Sequence, residues 1–349
     1  MRIISIANQK GGCGKTTTAV NVSACLAFKG RKVLLVDMDP QGHSAIGLNV
    51  DTNELERTIY DVLGISRGVS TQLDDVTIQV ADSLYVAPSH IALSALEQDL
   101  SMARGRDTKL RKAIEGSSQN YDYIVIDCPP SLGLLTFNSL MASTEVFIPV
   151  EMGMFSLHGT SKLLEIIDLV RNKTGHEIRV KVIATMFDRR TRIAHEVLQN
   201  VRNNFEGWMF NTVINTNVSL KEAAGFGKSI VDYATKSKGY SDYMSLTKEV
   251  VAEEKRVGMA KSAQIVKQFL FYAPEANSVR IVGNFNNWVP TKESLMERSQ
   301  DGTWSKGVTL SPGKYQYRFL VDDIWVEDKN NPSVIENPFG GKNSIIEVG

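Results

Sequence analysis

Short apolar runs recur along the first two thirds of the chain: RIISIA, KVLLVD, LYVAP, YIVID, EVFIPV, RVKVIATM and WMFNTVI. Most are rich in β-branched residues, and helical patterns separate them, which predicts a mostly parallel sheet flanked by helices. In HGTSKLLEIIDLVRNKTG the residues Leu163, Leu164, Ile167 and Val170 form one apolar stripe, and Gly175 supplies a stop. The segment from about Ser241 to Ser262 reads as a last helix running into a charged connector, EEKRVGMAKSAQ. Beyond it the runs are short and alternating, with turn clusters SQDGT, SPGK and VDD between them, which predicts a small antiparallel β-sandwich. The expected organisation is therefore an α/β domain over 1–254, a linker over 255–264 and an all-β domain over 265–349.

Composition adds little to this picture. A chain of 349 residues, 42% of them hydrophobic, fits two domains at about 150 residues each. Zero formal net charge gives no global field towards nucleic acid or membrane. Cys13, Cys25 and Cys128 show neither zinc-site spacing nor the density of a disulfide scaffold, so a reducing cytoplasm is expected. No apolar run reaches the roughly 18 residues that would span a membrane, and the N-terminus opens on a strand pattern rather than a signal sequence.

The chemistry starts at NQKGGCGKTTT, between the first strand pattern and the helical TTTAVNVSACLAF. Strand, glycine loop and helix in that order make a phosphate-binding loop, in which backbone N–H groups and the helix N-terminus cradle phosphate. Lys10, Gly11, Gly12, Cys13, Gly14, Lys15, Thr16 and Thr17 are the expected nucleotide contacts. Lys15 is placed to reach the β and γ phosphates and Thr16 to meet Mg²⁺. Gln9 stands where the usual pattern has glycine, and Lys10 is an additional lysine. In YDYIVIDCPPSLG the strand ends on Asp127, a Walker B type carboxylate for the metal. KVLLVDMDPQGH ends on Asp37 and Asp39, close to where the γ-phosphate would sit.

KGGCGKTTT, LLVDMDPQG and YIVIDCPPSLG, in this order, resemble the deviant Walker A ATPases of the ParA/Soj/MinD group. VDMDPQG, DCPPSLG and SKGYSDY make ParA/Soj the nearer match, over about residues 1–254. The resemblance implies a P-loop NTPase that uses ATP and Mg²⁺, dimerises on ATP and hydrolyses it slowly until a ParB-like or cargo activator intervenes. It assigns Lys10 to the phosphates of the partner subunit in a nucleotide-sandwich homodimer, Asp39 to the attacking water, and Asp37 to the metal and switch region. Lys10, Lys15 and Asp39 are thus the catalytic set, and Thr16, Asp37 and Asp127 the metal set. Cys13 counts only as a small loop residue. The resemblance also implies non-specific DNA binding and a nucleoid-associated cytoplasmic location. FDRRTRIAHEV offers Arg189, Arg190 and Arg192, whose alternative reading is a solvated charged face. INTNVS departs from the family here, with Thr216 and Ser219 where arginines are common. A membrane-binding C-terminal helix of the MinD kind is not expected, because a β-domain follows.

Residues 266–348 resemble the glycogen-binding module of the AMP-activated protein kinase β subunit and related modules of glycogen-branching and starch-processing enzymes. GNFNNW, PGKYQYRFLVDDIW and NSIIEV stand in the family's order. The resemblance implies an immunoglobulin-like sandwich that binds glucan, with Trp288 and Trp325 as the platform and Arg318 and Asn343 as polar contacts. Flat aromatic faces suit the apolar side of glucose rings. Trp304, in the alternating strand TWSKGVTL, is expected in the core. Phe339 and Gly341 depart from the kinase subunit's pattern. The alternative for this domain is a protein-interaction or structural module, and for the ATPase a nucleotide-gated scaffold with negligible hydrolysis, against which Lys10, Lys15 and Asp39 argue.

Overall fold

The computed structural model describes all residues except 65–69, 154–157, 263–264, 287, 338–340 and 349. It divides into two compact units, Met1–Val250 and Val251–Gly349.

The first unit is built on eight strands: β1 (Arg2–Ile6), β2 (Val33–Asp37), β3 (Ile78–Ala81), β4 (Leu84–Ala87), β5 (Tyr123–Asp127), β6 (Glu145–Glu151), β7 (Arg179–Phe187) and β8 (Met209–Asn215). Their order is β3-β4-β2-β5-β1-β6-β7-β8, and only the β3–β4 pair is antiparallel. The central strands β2 and β5 are buried at every position, as expected of runs covered by helices on both faces. The helix His158–Thr174 buries Leu163, Ile167 and Val170 and ends at Gly175, whose φ of 69° is left-handed. Because β1, β2, β5, β6 and β7 run parallel, their C-terminal ends meet at one edge, where open α/β sheets place their ligand sites.

The expected linker needs correction. A single helix runs over Lys238–Ser262, so residues 255–262 are helical. The segment has no proline and is rich in Ala, Glu, Lys, Arg and Met, all good helix formers. Its first half is fastened to β8: Asp242 accepts from Asn215 N at 2.9 Å, and Glu249 from Asn211 N at 2.8 Å and Thr212 N at 2.7 Å. Tyr243, fully buried, meets the Thr18 hydroxyl at 3.1 Å and so ties this helix to the one after the phosphate loop.

The second unit holds β9 (Ile265–Tyr272), β10 (Val279–Gly283), β11 (Glu297–Arg298), β12 (Thr303–Leu310), β13 (Gly313–Val321), β14 (Ile324–Val326), β15 (Val334–Glu336) and β16 (Lys342–Val348). One sheet runs β10-β13-β16-β15 with β14 on β13, and the other runs β11-β12-β9. Phe269, Val279, Ile281, Trp304, Tyr317 and Phe319 fill the core between them. Asp322 and Asp323 turn β13 into β14 with φ of 44° and 66°, the left-handed pair that a tight hairpin requires.

Candidate functional site

The loop between β1 and the helix Lys15–Phe28 turns on Gly12 and Gly14, with φ of 72° and 90°. A side chain at either would be strained. A Cβ at Gly11 or Gly12 would meet no atom within 4 Å, so this part of the loop is open. Cys13 points inward, its thiol donating to Lys10 O at 3.2 Å, while Thr185, two residues before the end of β7, donates to Cys13 O at 2.8 Å. Burial pushes the Cys13 thiol up, which makes it a packing group rather than a thiolate. Lys15 is buried, and its ammonium donates to Lys10 O at 3.1 Å. Lys10 lies at the rim and pairs with Glu151, the last residue of β6, at 2.5 Å.

The register of β2 and β5 sets Asp37 directly beside Asp127, both fully buried. Asp37 accepts from Asp39 N at 3.1 Å, Ser44 N at 3.0 Å and Ala45 N at 3.4 Å. Asp127 Oδ2 accepts from the Ser44 hydroxyl at 2.8 Å, whereas its buried Oδ1 has no hydrogen-bond partner. Burial first, and then the charge of Asp127, raises Asp37 well above the usual carboxylate range. Burial likewise lifts Asp127 to about 6, against the opposing pull of the Thr16 and Ser44 hydroxyls. Two crowded carboxylates with an orphaned oxygen, beside the Thr16 hydroxyl, form a hard-oxygen set that fits Mg²⁺. Among the described residues no group of three His, Cys, Asp or Glu could hold a metal. Mg²⁺ is commonly held by one or two carboxylates together with phosphate and water. Asp39 is half-buried, and its Oδ1 accepts from Gln41 N at 3.1 Å, which braces the turn carrying it.

Past Thr185, β7 leads into a cavity of about 490 Å³, lined by Phe187, Asp188, Arg190, Asn215, Thr216 and Lys238 among others. Arg189 also lines it and is exposed. Arg190 grips Asp188 through two bonds of 2.9 and 2.7 Å and holds that carboxyl down at about 2. Arg192 pairs with Glu196 at 2.8 Å. Two of the three arginines expected to meet DNA therefore have carboxylate partners in the folded chain.

In the second unit, Trp288 and Trp325 lie with ring centroids 6.3 Å apart and planes tilted by 55°. Trp325 is 41% exposed, and Arg318 donates to its carbonyl at 3.0 Å. Asn343 is buried, with Nδ2 donating to Gln316 Oε1 and Oδ1 accepting from Asn337 Nδ2, each at 3.0 Å. Its amide thus joins Gln316 of β13 to Asn337. Trp304 is buried, and its indole N–H donates to Ala273 O at 3.0 Å. Phe339 lies outside the described residues.

A family model described as an AAA domain matches residues 1–180, and one described as the glycogen recognition site of AMP-activated protein kinase matches residues 266–349. The sporulation initiation inhibitor protein Soj of Bacillus subtilis is 43% identical over 252 residues, 72% of this chain and 98% of that protein. The chain belongs to the ParA/Soj family. The chromosome partitioning protein ParA of Myxococcus xanthus is 41% identical over 254 residues, 72% of this chain and 89% of that protein. Cobyrinic acid a,c-diamide synthase of Mycobacterium smegmatis, solved with bound ATP analog and magnesium, aligns with a TM-score of 0.63 at 30% identity, over 73% of this chain and 96% of that one.

In the ParA/Soj portion Lys10, Lys15, Asp37, Asp39 and Asp127 stand at the same sheet edge. Sequence reasoning missed two residues of this ParA/Soj site, Glu151 and Ser44. A carboxylate closing an otherwise apolar strand, EVFIPVE, was the available signal for the first. For Ser44 there was none, because its partners are 7 and 83 residues away. No helix among the described residues of this ParA/Soj chain is long and apolar enough to cross a membrane.

Proposed function

We propose that the chain is a partitioning switch that binds ATP with Mg²⁺, dimerises on it and hydrolyses it to ADP and phosphate. The observation that carries this reading is the position of the two lysines. Lys15 is buried within the loop, whereas Lys10 sits at its rim, held by a half-exposed carboxylate and therefore able to leave for another subunit. Thr16, Asp37 and Asp127 would hold the metal, which supplies positive charge to the phosphates. Lys15 binds the phosphates of its own subunit. Lys10 brings a second cation in trans, as an arginine finger does, and Asp39 orients the water. Turnover is slow in isolation and rises with a ParB-like or cargo activator. The cavity beside β7 has the volume and polar lining to take a nucleoside.

Functionally the chain divides into this switch, residues 1–254, and a recognition module, 265–349. The module binds glucan on Trp288 and Trp325, so the dimer addresses a polysaccharide-linked cargo from the cytoplasm. Non-specific DNA binding through Arg189, Arg190 and Arg192 would add a nucleoid location. One observation favours the alternative of an interaction or structural module: the Asn343 amide is already used inside the domain.

Two measurements test the reading. Size-exclusion chromatography with a non-hydrolysable ATP analogue and Mg²⁺ should give a dimer, absent with ADP and weakened in Lys10→Ala. Co-sedimentation with insoluble glycogen or amylose should retain the wild type and release a Trp288→Ala/Trp325→Ala variant. A chain that stays monomeric with the analogue refutes the switch, and one that never sediments makes the module an interaction domain.

A further inference from the structure

Among the described residues, Ser44 is the one whose hydrogen bonds reach both buried carboxylates of the candidate metal site. It stands in the short helix His43–Ile46, directly after the turn that carries Asp39, and it is fully buried. Its backbone N–H donates to Asp37 Oδ2 at 3.0 Å, and its hydroxyl donates to Asp127 Oδ2 at 2.8 Å. The two carboxylates are not held alike. Asp37 has a second donor on Oδ2, Ala45 N, and a donor on Oδ1, Asp39 N, so its rotamer is fixed by backbone. Asp127 has no backbone donor on its carboxylate among these bonds: the Thr16 and Ser44 hydroxyls act on it, Ser44 through the bond of 2.8 Å to Oδ2, and its Oδ1 is buried without a hydrogen-bond partner.

We infer that Ser44 is a positioning residue for the metal: its hydroxyl sets the Asp127 carboxylate so that the orphaned Oδ1 faces the cation site. The bond also links Asp127 to the segment bearing Asp39. Gly42 N donates to Asp39 O at 3.0 Å, and Ser44 follows two residues later, so one short span braces the water-orienting turn against the metal carboxylate. Groups that hold a ligand from behind commonly change metal affinity by about 10–100-fold when removed. Replacing the hydroxyl with hydrogen takes away one donor and little volume. Asp37 keeps all its amide bonds, so the nucleotide loop itself should stand.

The inference rests on the ATPase reading, and the experiment separates the two. Mn²⁺ serves as the probe, with free ion followed by electron paramagnetic resonance in the presence of ADP, for the full-length wild type and Ser44→Ala. ADP affinity without metal is measured alongside. The expected result is Mn²⁺ affinity about tenfold weaker in Ser44→Ala, with metal-free ADP affinity within about twofold of wild type. Unchanged Mn²⁺ affinity, or an equal loss of metal-free ADP binding, overturns the positioning role. A wild type that binds no Mn²⁺ beyond what ADP alone binds overturns the ATPase reading beneath it.

Discussion

For Lys10 to act on a partner's phosphates it must leave Glu151, so this ion pair should oppose dimerisation. Neutralising it by Glu151→Gln tests that directly. The pair is short, 2.5 Å, but each side chain is about one third exposed, at 32% and 34%. An exposed pair contributes up to about 1 kcal/mol, and the short contact here argues for the upper end. A symmetric dimer breaks two such pairs, so the barrier to association is about 2 kcal/mol, or roughly 30-fold in the dimer dissociation constant. Glu151→Gln should therefore tighten the dimer by about 10–30-fold. The assay is sedimentation equilibrium at saturating non-hydrolysable ATP analogue and Mg²⁺, so that an effect on nucleotide affinity does not enter. Lys10→Ala provides the second arm. On that background Glu151→Gln should change nothing, because the partner it frees is gone. A dimer constant unchanged or weakened by Glu151→Gln would refute the latch and assign Glu151 to holding Lys10 in the assembled state.

The remaining predictions follow from the same geometry. Asp39→Ala should cut phosphate release by about 100-fold or more while leaving analogue-dependent dimerisation in place, and unchanged release would remove Asp39 from the chemistry. In EDTA the chain should lose stability as pH rises from about 4 to about 6. The folded value of Asp127, about 6, lies above its ordinary 3.8, so the unfolded chain gives up the proton first and the native state falls behind across that window. Denaturant midpoints for wild type and Asp127→Asn check this, and an identical pH slope in both would contradict it. Trp304→Ala should destabilise the second unit by about 3–5 kcal/mol, as truncation of a buried tryptophan does, whereas Trp325→Ala should leave its melting temperature nearly unchanged and remove glucan retention.

Much of the α/β unit was legible because central parallel strands are covered on both faces and so read as continuous apolar runs. YIVID and VLLVD are buried at every position. β3 escaped notice because it lies at the sheet's edge, with Gln79 and Ala81 exposed and Ile78 and Val80 only half-buried, so nothing in TIQVA forces a strand without its neighbour β4. The connector misled in the other direction. Its charges suggested a break, yet charge does not oppose helix, and Glu, Lys and Arg propagate one well.

The candidate site divides by the range of its interactions. The phosphate loop and the three aspartates are fixed by the chain near them: a glycine turn feeding a helix, and carboxylates at strand ends that must meet once the strands align. Pairings across the fold carry no such signature. RRTR looks like a basic patch, but Arg190 closes on Asp188 two residues back and Arg192 on Glu196 one helical turn ahead. Each arginine keeps its charge, yet the field it offers to a phosphate backbone is reduced by the carboxylate beside it. DNA binding through this segment thus requires either Arg189 acting with little help or rearrangement of both pairs as phosphate approaches. The same reasoning applies to Lys10, whose proposed value as a trans cation would depend on a carboxylate 141 residues away in sequence. In both places the sequence supplies the cation, and the fold decides when it becomes available.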